Sequence, residues 1–194
     1  MNKLFRLLAI ALLLLAAASA GCQKSGDDDD NQNNDDDNTP FQAKQITFTP
    51  AGSAQAGDIW LEMENADPAQ NAFTLRLMGN GLTDVYGVAG RLTFDRAIGA
   101  LNSAAPKDAL GSGGATVATE AAANDAGGVF GFSRQGLVAG VAFAEPVVIG
   151  TLEFNALKAG KTDIAFTENK SRVMNPDLEV VEVAHWLGGT LTVE

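Results

Sequence analysis

An apolar–polar alternation with a period of two runs from Phe41 to the end of the chain and limits its fold more than any other property. Such alternation is typical of β-strands that bury one face, whereas a helix repeats its apolar residues every three or four positions. The alternating segments are residues 59–64, 73–78, 86–94, 130–132, 141–143, 148–154, 164–166, 180–186 and 191–193. Turns rich in Gly, Pro, Asn and Asp separate these segments. The pattern therefore predicts an all-β sandwich of about nine strands.

One stretch of this region has a different composition. Residues Ala115 to Ala126 are rich in alanine, which is the best helix former and is depleted in strands. We therefore expect a short helix or a loop there, between strands of the sandwich.

Charge and composition exclude several classes of function. The formal net charge of the 194 residues is −11, which does not suit a protein that must neutralise nucleic-acid phosphates. The chain has one His and one Cys, which excludes a Cys/His zinc site, a disulfide framework and a two-His metal motif. The sequence thus predicts no metal site, no cofactor and no nucleic-acid partner.

Catalytic motifs are equally scarce. His185 lies in a strand pattern, and no Gly-x-Ser-x-Gly nucleophile motif accompanies it, so we interpret it as a structural histidine. Glu62 and Glu64 share one face of a strand, but carboxylates spaced in this way are usually an exposed, charged edge rather than a glycosidase pair. We therefore predict that the protein is not an enzyme and has no catalytic residues.

The first 21 residues form an export signal. Lys3 and Arg6 give a basic start, and Leu7 to Ala18 is an apolar run too short to span a bilayer. Small residues then precede Cys22, an arrangement that resembles a bacterial lipoprotein signal, in which the chain is cut before the Cys and the Cys is acylated. This resemblance implies that residue 22 carries the lipid anchor. The alternative is an ordinary signal peptide, cut at Ala20.

An acidic segment follows Cys22. Residues 22–38 contain the lipidation site and then a polar run with seven Asp between Asp27 and Asp37. Such a run cannot bury apolar surface and repels itself, so we expect a disordered, extended tether. The sequence therefore predicts three parts: residues 1–21 as signal peptide, 22–38 as acylated tether, and 39–194 as the sandwich domain.

Four segments of that domain resemble a cohesin module, the jelly-roll receptor domain of cellulosome scaffoldins. These segments are Ala56–Asp58, Tyr86–Asp95, Gly150–Phe154 and Gly188–Val193. Each resembles a cohesin segment, and together they follow the family's order over residues 44–194. The resemblance implies a jelly-roll β-sandwich of the carbohydrate-binding-like superfamily, with a dockerin-like protein module as partner.

The resemblance also implies where such a partner binds. Cohesins hold a dockerin, a small calcium-loaded helical module, against one sheet face. Carried over by position, the partner-binding face comprises Gly87, Ala89, Arg91, Thr93, Gly131, Ser133 and Arg134. The sequence departs from the family at Gly87 and Ala89, where cohesins place Asn and Asp, so hydrogen bonds to a dockerin helix would lose partners there. The alternative is an ordinary sheet face that is exposed to solvent and binds no partner.

Direct carbohydrate binding is the second hypothesis. Sugar sites stack pyranose rings on flat aromatic side chains, and the candidates for stacking are Trp60 and Trp186. The sequence as a whole thus predicts a lipid-anchored, non-catalytic module at the bacterial cell envelope, at the outer membrane or the cell surface. There it would engage a dockerin-like protein or contribute to polysaccharide-degrading assemblies, with direct polysaccharide binding as the alternative.

Overall fold

The computed structural model describes residues 40–194, so the predicted signal peptide, the lipidation site Cys22 and the acidic tether lie outside the described residues. The described part contains fifteen strands, several of them only two or three residues long. They are β1 (Ile46–Pro50), β2 (Ile59–Asp67), β3 (Ala72–Gly79), β4 (Leu82–Val85), β5 (Gly87–Thr93), β6 (Gly99–Pro106), β7 (Val117–Asn124), β8 (Gly127–Arg134), β9 (Val141–Phe143), β10 (Val147–Ala156), β11 (Gly160–Phe166), β12 (Arg172–Met174), β13 (Val180–Val181), β14 (Trp186–Leu187) and β15 (Gly189–Val193). One four-residue helix, α1 (Asp108–Gly111), and three short 3₁₀ turns at 68–70, 112–114 and 168–170 complete the secondary structure described.

The strands form two main layers. Sheet A has eight strands: its path runs β1-β15-β11-β5-β12-β13, and β8 and then β7 extend it from the other side of β5. Sheet B has five strands in the order β14-β2-β3-β10-β6, and β4 and β9 form a separate pair. The pairs are antiparallel except β14 with β2. The prediction of an all-β sandwich is therefore confirmed, with more and shorter strands than expected because turns divide some segments, as residues 168–170 do between β11 and β12.

The core lies between the two sheets, where the apolar residues of each alternating segment meet. Phe73 of β3 stacks on Phe154 of β10 with ring centroids 5.0 Å apart, and Phe94 meets Phe154 edge-on at 5.6 Å. Phe130 and Phe132 of β8 belong to the same core, with ring centroids 5.8 Å apart. Because burying one such side chain contributes roughly 1.5–3 kcal/mol, the periodicity seen in the sequence is also the main source of stability.

The expectation for the alanine-rich stretch is wrong. Residues Val117–Asn124 form β7, which pairs with β8 along its whole length, and a tight turn closed by Asn124 joins the two strands. Pairing with a well-packed neighbour outweighs the helix propensity of alanine. The apolar–polar alternation of β7 cannot be recognised in the sequence, because alanine occupies both faces of this strand. The short helix α1 lies just before it in the chain, with Leu110 buried.

Across residues 40–194, no helix is long and apolar enough to span a membrane.

Candidate functional site

The strand register brings most of the predicted binding residues onto one surface. Ala89 of β5 is opposite Gly131 of β8, and Gly131 is in turn opposite Glu120 of β7. On the other side of β5, Ala89 is opposite Arg172 of β12. One row thus crosses four strands, with two small residues at its centre and an acid and a base at its ends.

A second row lies beside the first. Ala118 of β7, Ser133 of β8, Gly87 of β5 and Met174 of β12 are register partners in that order. We call the surface of these two rows, with the neighbouring side chains of β5, the outward face of sheet A: Gly87, Ala89, Arg91, Thr93, Ala118, Glu120, Gly131, Ser133, Arg172 and Met174. Gly87 is buried beside the Ser133 side chain, whereas Ala89 is exposed and Gly131 is partly exposed. Because the side chains at the centre are small, the backbone of another molecule can approach the sheet closely at Ala89 and Gly131.

The charges on the outward face have no ion-pair partner among the residues that the structure describes. In the part of the chain that the structure describes, ion pairs join Arg76 to Glu62, Lys107 to Glu64 and His185 to Asp58. Arg91, Arg172 and Glu120 belong to none of these pairs. A charge that faces solvent without a partner is available to a second molecule.

Arg134 does not belong to this surface, and the prediction that placed it there is wrong. Its side chain is only 6% exposed and lies beneath the sheet, on the same side of β8 as Phe130 and Phe132. One guanidinium nitrogen donates to the carbonyl of Leu110, and another donates to the carbonyl of Ser112 at 3.0 Å. Arg134 therefore holds α1 and the following turn in place.

Trp60 is not available for stacking, which corrects the second hypothesis. It is only 7% exposed, lies between Met78 and Leu187 in the sheet register, and donates from Nε1 to Glu62 Oε1 at 2.8 Å. The alternation correctly placed Trp60 on the face of β2 opposite Ile59. That face is nevertheless covered here, because the edge strand β14 packs beside β2.

Trp186 is half-buried and lines a groove. Its ring lies on Phe166, with centroids 5.1 Å apart and an angle of 53° between the planes. The groove has a volume of about 480 Å³ and opens between β11, β14 and the start of β15. We call it the Trp186 groove, and its lining residues include Asp163, Phe166, Glu168, Trp186, Gly188 and Thr190.

The remaining polar candidates serve the fold. His185 Nδ1 lies 2.8 Å from Asp58 Oδ1, and the other oxygen of this buried carboxylate accepts from the backbone N–H of Gln55 at 2.7 Å. Glu62 is held by Trp60 and by Arg76, and Glu64 lies 3.8 Å from Lys107. Among residues 40–194, no three His, Cys, Asp or Glu side chains are grouped as metal ligands.

Sequence reasoning missed two exposed leucines at one end of the outward face. Leu137 and Leu178 lie in loops on either side of Tyr86 and are largely exposed. Tyr86 ties these loops together, because its backbone N–H donates to Met174 at 2.7 Å and its hydroxyl donates to Gly136 at 2.8 Å. Neither leucine lies in an alternating segment, so only the turn-forming glycine and proline nearby signalled these loops.

The sequence has no match among protein-family models, and no curated protein matches it. Similar solved structures do exist. CaCohA2 of Clostridium acetobutylicum, in its complex with CaDoc0917, has a TM-score of 0.53 at 11% identity, and the match covers 70% of this chain and 99% of that one. The sixth cohesin of scaffoldin B from Acetivibrio cellulolyticus, in complex with a Cel5 dockerin, gives 0.51 at 14%, with 71% and 98% covered. A type I cohesin–dockerin complex from Clostridium thermocellum gives 0.50 at 13%, with 72% and 95% covered.

These matches have one consequence for the fold. They span almost the whole of each matched chain, and their sequence identity is low. The described domain therefore has the jelly-roll β-sandwich fold of cohesin modules, as the sequence predicted.

Proposed function

We propose that residues 40–194 form a non-catalytic module that binds a dockerin-like protein through the outward face of sheet A. The observation that carries this proposal is the fold, which matches 95–99% of the length of modules solved in such complexes. Two of these modules were solved in complex with a dockerin. Because one fold can serve several functions, the surface itself must also suit a partner.

The chemistry of the outward face supports the proposal. Its centre is built from small residues, and Arg91, Arg172 and Glu120, which have no ion-pair partner within the described domain, can form hydrogen bonds and ion pairs with another molecule. The exposed Leu137 and Leu178 add apolar surface at one end. A central area that excludes water, with charges around it, is the usual arrangement of a specific protein interface.

Gly87 and Ala89 change how such a partner would be held. Cohesins offer polar side chains at these two positions, whereas here the two residues offer none. Specific hydrogen bonds would instead come from the neighbouring Ser133, Arg91 and Glu120. We therefore propose a partner whose contact helix approaches the sheet more closely, with small residues on its own contact side.

The experiment is a calcium-dependent pull-down with the immobilised full-length chain in a lysate of the source organism, with the captured proteins identified by mass spectrometry. We expect capture of a protein that carries a dockerin-like pair of calcium loops. Ala89→Arg should lower its affinity at least about 30-fold, because the long side chain blocks the centre of the interface. Ala105→Arg is the matched control, since Ala105 is exposed on β6 of sheet B.

Two results would contradict the proposal. One is that no dockerin-like protein is captured in the presence of calcium. The other is that Ala89→Arg and Ala105→Arg bind the partner equally well, which would place the interface elsewhere on the domain.

We further propose that the module is anchored to the bacterial cell envelope through a lipid on Cys22. The support is the sequence alone: a basic start, a short apolar run and small residues before the only cysteine. Metabolic labelling with a fatty acid should label the wild-type protein and should not label Cys22→Ala. Label that persists in the variant would contradict the anchor.

Direct carbohydrate binding remains the alternative, with weaker support. A polysaccharide-binding strip normally aligns several aromatic rings, but Trp60 is buried and Phe166 is tilted by 53° to Trp186. Trp186 is thus the one proposed stacking residue that the described structure leaves partly exposed.

A further inference from the structure

The Trp186 groove lies at the crossing between the two sheets. It is found where the chain passes from β14 in sheet B to β15 in sheet A through Gly188 and Gly189. A Cβ atom on Gly188 would lie 2.0 Å from the carbonyl oxygen of Ile164, so only glycine fits this close approach to β11. Glycine backbone therefore forms one wall of the groove.

An aromatic ring forms another wall. The Trp186 indole is half-buried, and Phe166, which is itself buried, supports it at 5.1 Å. A tryptophan held by a second ring loses little conformational entropy when a ligand covers it. This preorganisation makes the exposed part of the indole a suitable contact for a ligand.

The polar groups of the groove are acidic. Asp163 and Glu168 line it, and Thr190 donates its hydroxyl proton to Asp163 Oδ1 at 2.7 Å, which leaves Oδ2 without a side-chain donor. The lining includes no Lys, Arg or His, and within residues 40–194 neither carboxylate lies within 4.0 Å of a cationic nitrogen. Glu168 and Trp186 also border a neighbouring hollow of about 290 Å³, which contains both Glu182 and Arg172. The Trp186 groove itself thus has negative charge that no residue of the described domain neutralises.

From this combination we infer that the Trp186 groove binds a lysine or arginine side chain of a polypeptide. The cation would lie against the indole, whose ring face attracts positive charge, while its N–H groups donate to Asp163 and Glu168. The overall charge of −11 further attracts basic segments. A neutral sugar is disfavoured, because the groove offers one accessible ring for stacking and because a neutral ligand would leave the charges of both carboxylates uncompensated.

The groove adjoins the outward face, since Ala165 in its lining is the register partner of Thr93. One partner could therefore contact both surfaces. The inference nevertheless does not depend on the proposed dockerin interface, because it concerns a different set of side chains and can be tested with a simple peptide.

The test is NMR of the ¹⁵N-labelled full-length chain, titrated with hexalysine. The chain has two tryptophans, so its two indole N–H signals report on the groove and on an internal reference. We expect the Trp186 signal to shift in a saturable, salt-sensitive way while the buried Trp60 signal stays in place. Trp186→Phe assigns the two signals. Hexaglutamate and cellohexaose, added under the same conditions, should cause no shift.

Charge variants complete the design. Glu168→Gln and Asp163→Asn should each weaken hexalysine binding about twofold to fivefold, the range expected for one exposed ion pair. Glu145→Gln makes the same charge change on an exposed residue outside the groove and should leave affinity unchanged. The inference is overturned if hexalysine leaves the Trp186 signal unmoved, if cellohexaose shifts it instead, or if Glu145→Gln weakens binding as much as Glu168→Gln.

Discussion

The outer surfaces of the two sheets differ in whether their charged side chains have partners within the described domain. On sheet B, Glu62 accepts from both Trp60 and Arg76, Lys107 lies near Glu64, and Ser103 donates to Glu153 at 2.6 Å. On the outward face of sheet A, small residues occupy the centre, and the charged residues have no such partners within residues 40–194. A surface whose polar groups are already paired gains little from a ligand, whereas an unpaired one can exchange water for a partner. The difference is the reason why we place the proposed interface on sheet A rather than on sheet B.

The largest effect should come from Trp60 in sheet B. Trp60→Ala removes a large buried side chain and should lower the free energy of unfolding by about 3–5 kcal/mol. Urea denaturation followed by circular dichroism measures this change. A loss below about 1 kcal/mol would mean that Trp60 is exposed in solution, and the contrast between the two sheets would then weaken.

Two arginines on neighbouring strands give the next contrast. Arg134→Ala leaves the carbonyls of Leu110 and Ser112 without their charged donor and should cost about 2–4 kcal/mol of unfolding free energy. Arg91→Ala, on the outward face of β5, should change stability by less than about 0.5 kcal/mol. Equal costs for the two variants, measured by the same urea denaturation, would show that Arg91 has a structural partner.

A substitution at Gly131 tests why the residues at the centre of the outward face are small. Either the stability of the fold requires them, or they leave room for a partner. A Cβ atom at Gly131 meets nothing closer than the Cβ of Ala89 at 4.0 Å, and its backbone is not left-handed. Gly131→Ala should therefore raise stability by about 0.4–1 kcal/mol, since it restricts the unfolded chain. Thermal denaturation measures the shift, and a destabilised variant would indicate that the fold itself requires glycine there.

The smallest effect concerns the ion pair of sheet B. A double-mutant cycle on Glu62 and Arg76, with both residues replaced by Ala, should give a coupling energy of about 0.2–1 kcal/mol that falls with added salt, because both side chains are about one-third exposed. The same cycle on Glu120 and Arg172 of sheet A should give no measurable coupling. A coupling of similar size in sheet A would mean that its charges are paired with each other.

The sequence predicted which side chains point inward where this depends only on the alternation along one strand. The alternation of β5 correctly separated buried Val88 and Leu92 from the outward Ala89, Arg91 and Thr93. Arg134 follows the buried Phe130 and Phe132 at a spacing of two residues along β8. The same alternation rule would therefore have placed its side chain in the interior.

The alternation along one strand could not predict which residues of different strands share a surface, or which are covered by another strand. Glu120 and Arg172 join the outward face only through the registers of β7 and β12, and β7 itself escaped notice because its alanines give no contrast between faces. The burial of Trp60 depends on a two-residue strand 126 positions further along the chain. Such pairings are set by the packing of the whole domain, which a single-sequence pattern does not contain.

The pairing of β1 with β15 makes the closure of sheet A a long-range event. Ile46 is opposite Val193, and the backbone of Gln45 exchanges hydrogen bonds with that of Glu194, so among the described strands β1 pairs with β15 alone. Contacts between residues so far apart in the sequence form slowly, because the chain between them must be ordered first. We therefore expect this pairing to be among the last contacts to form as the domain folds.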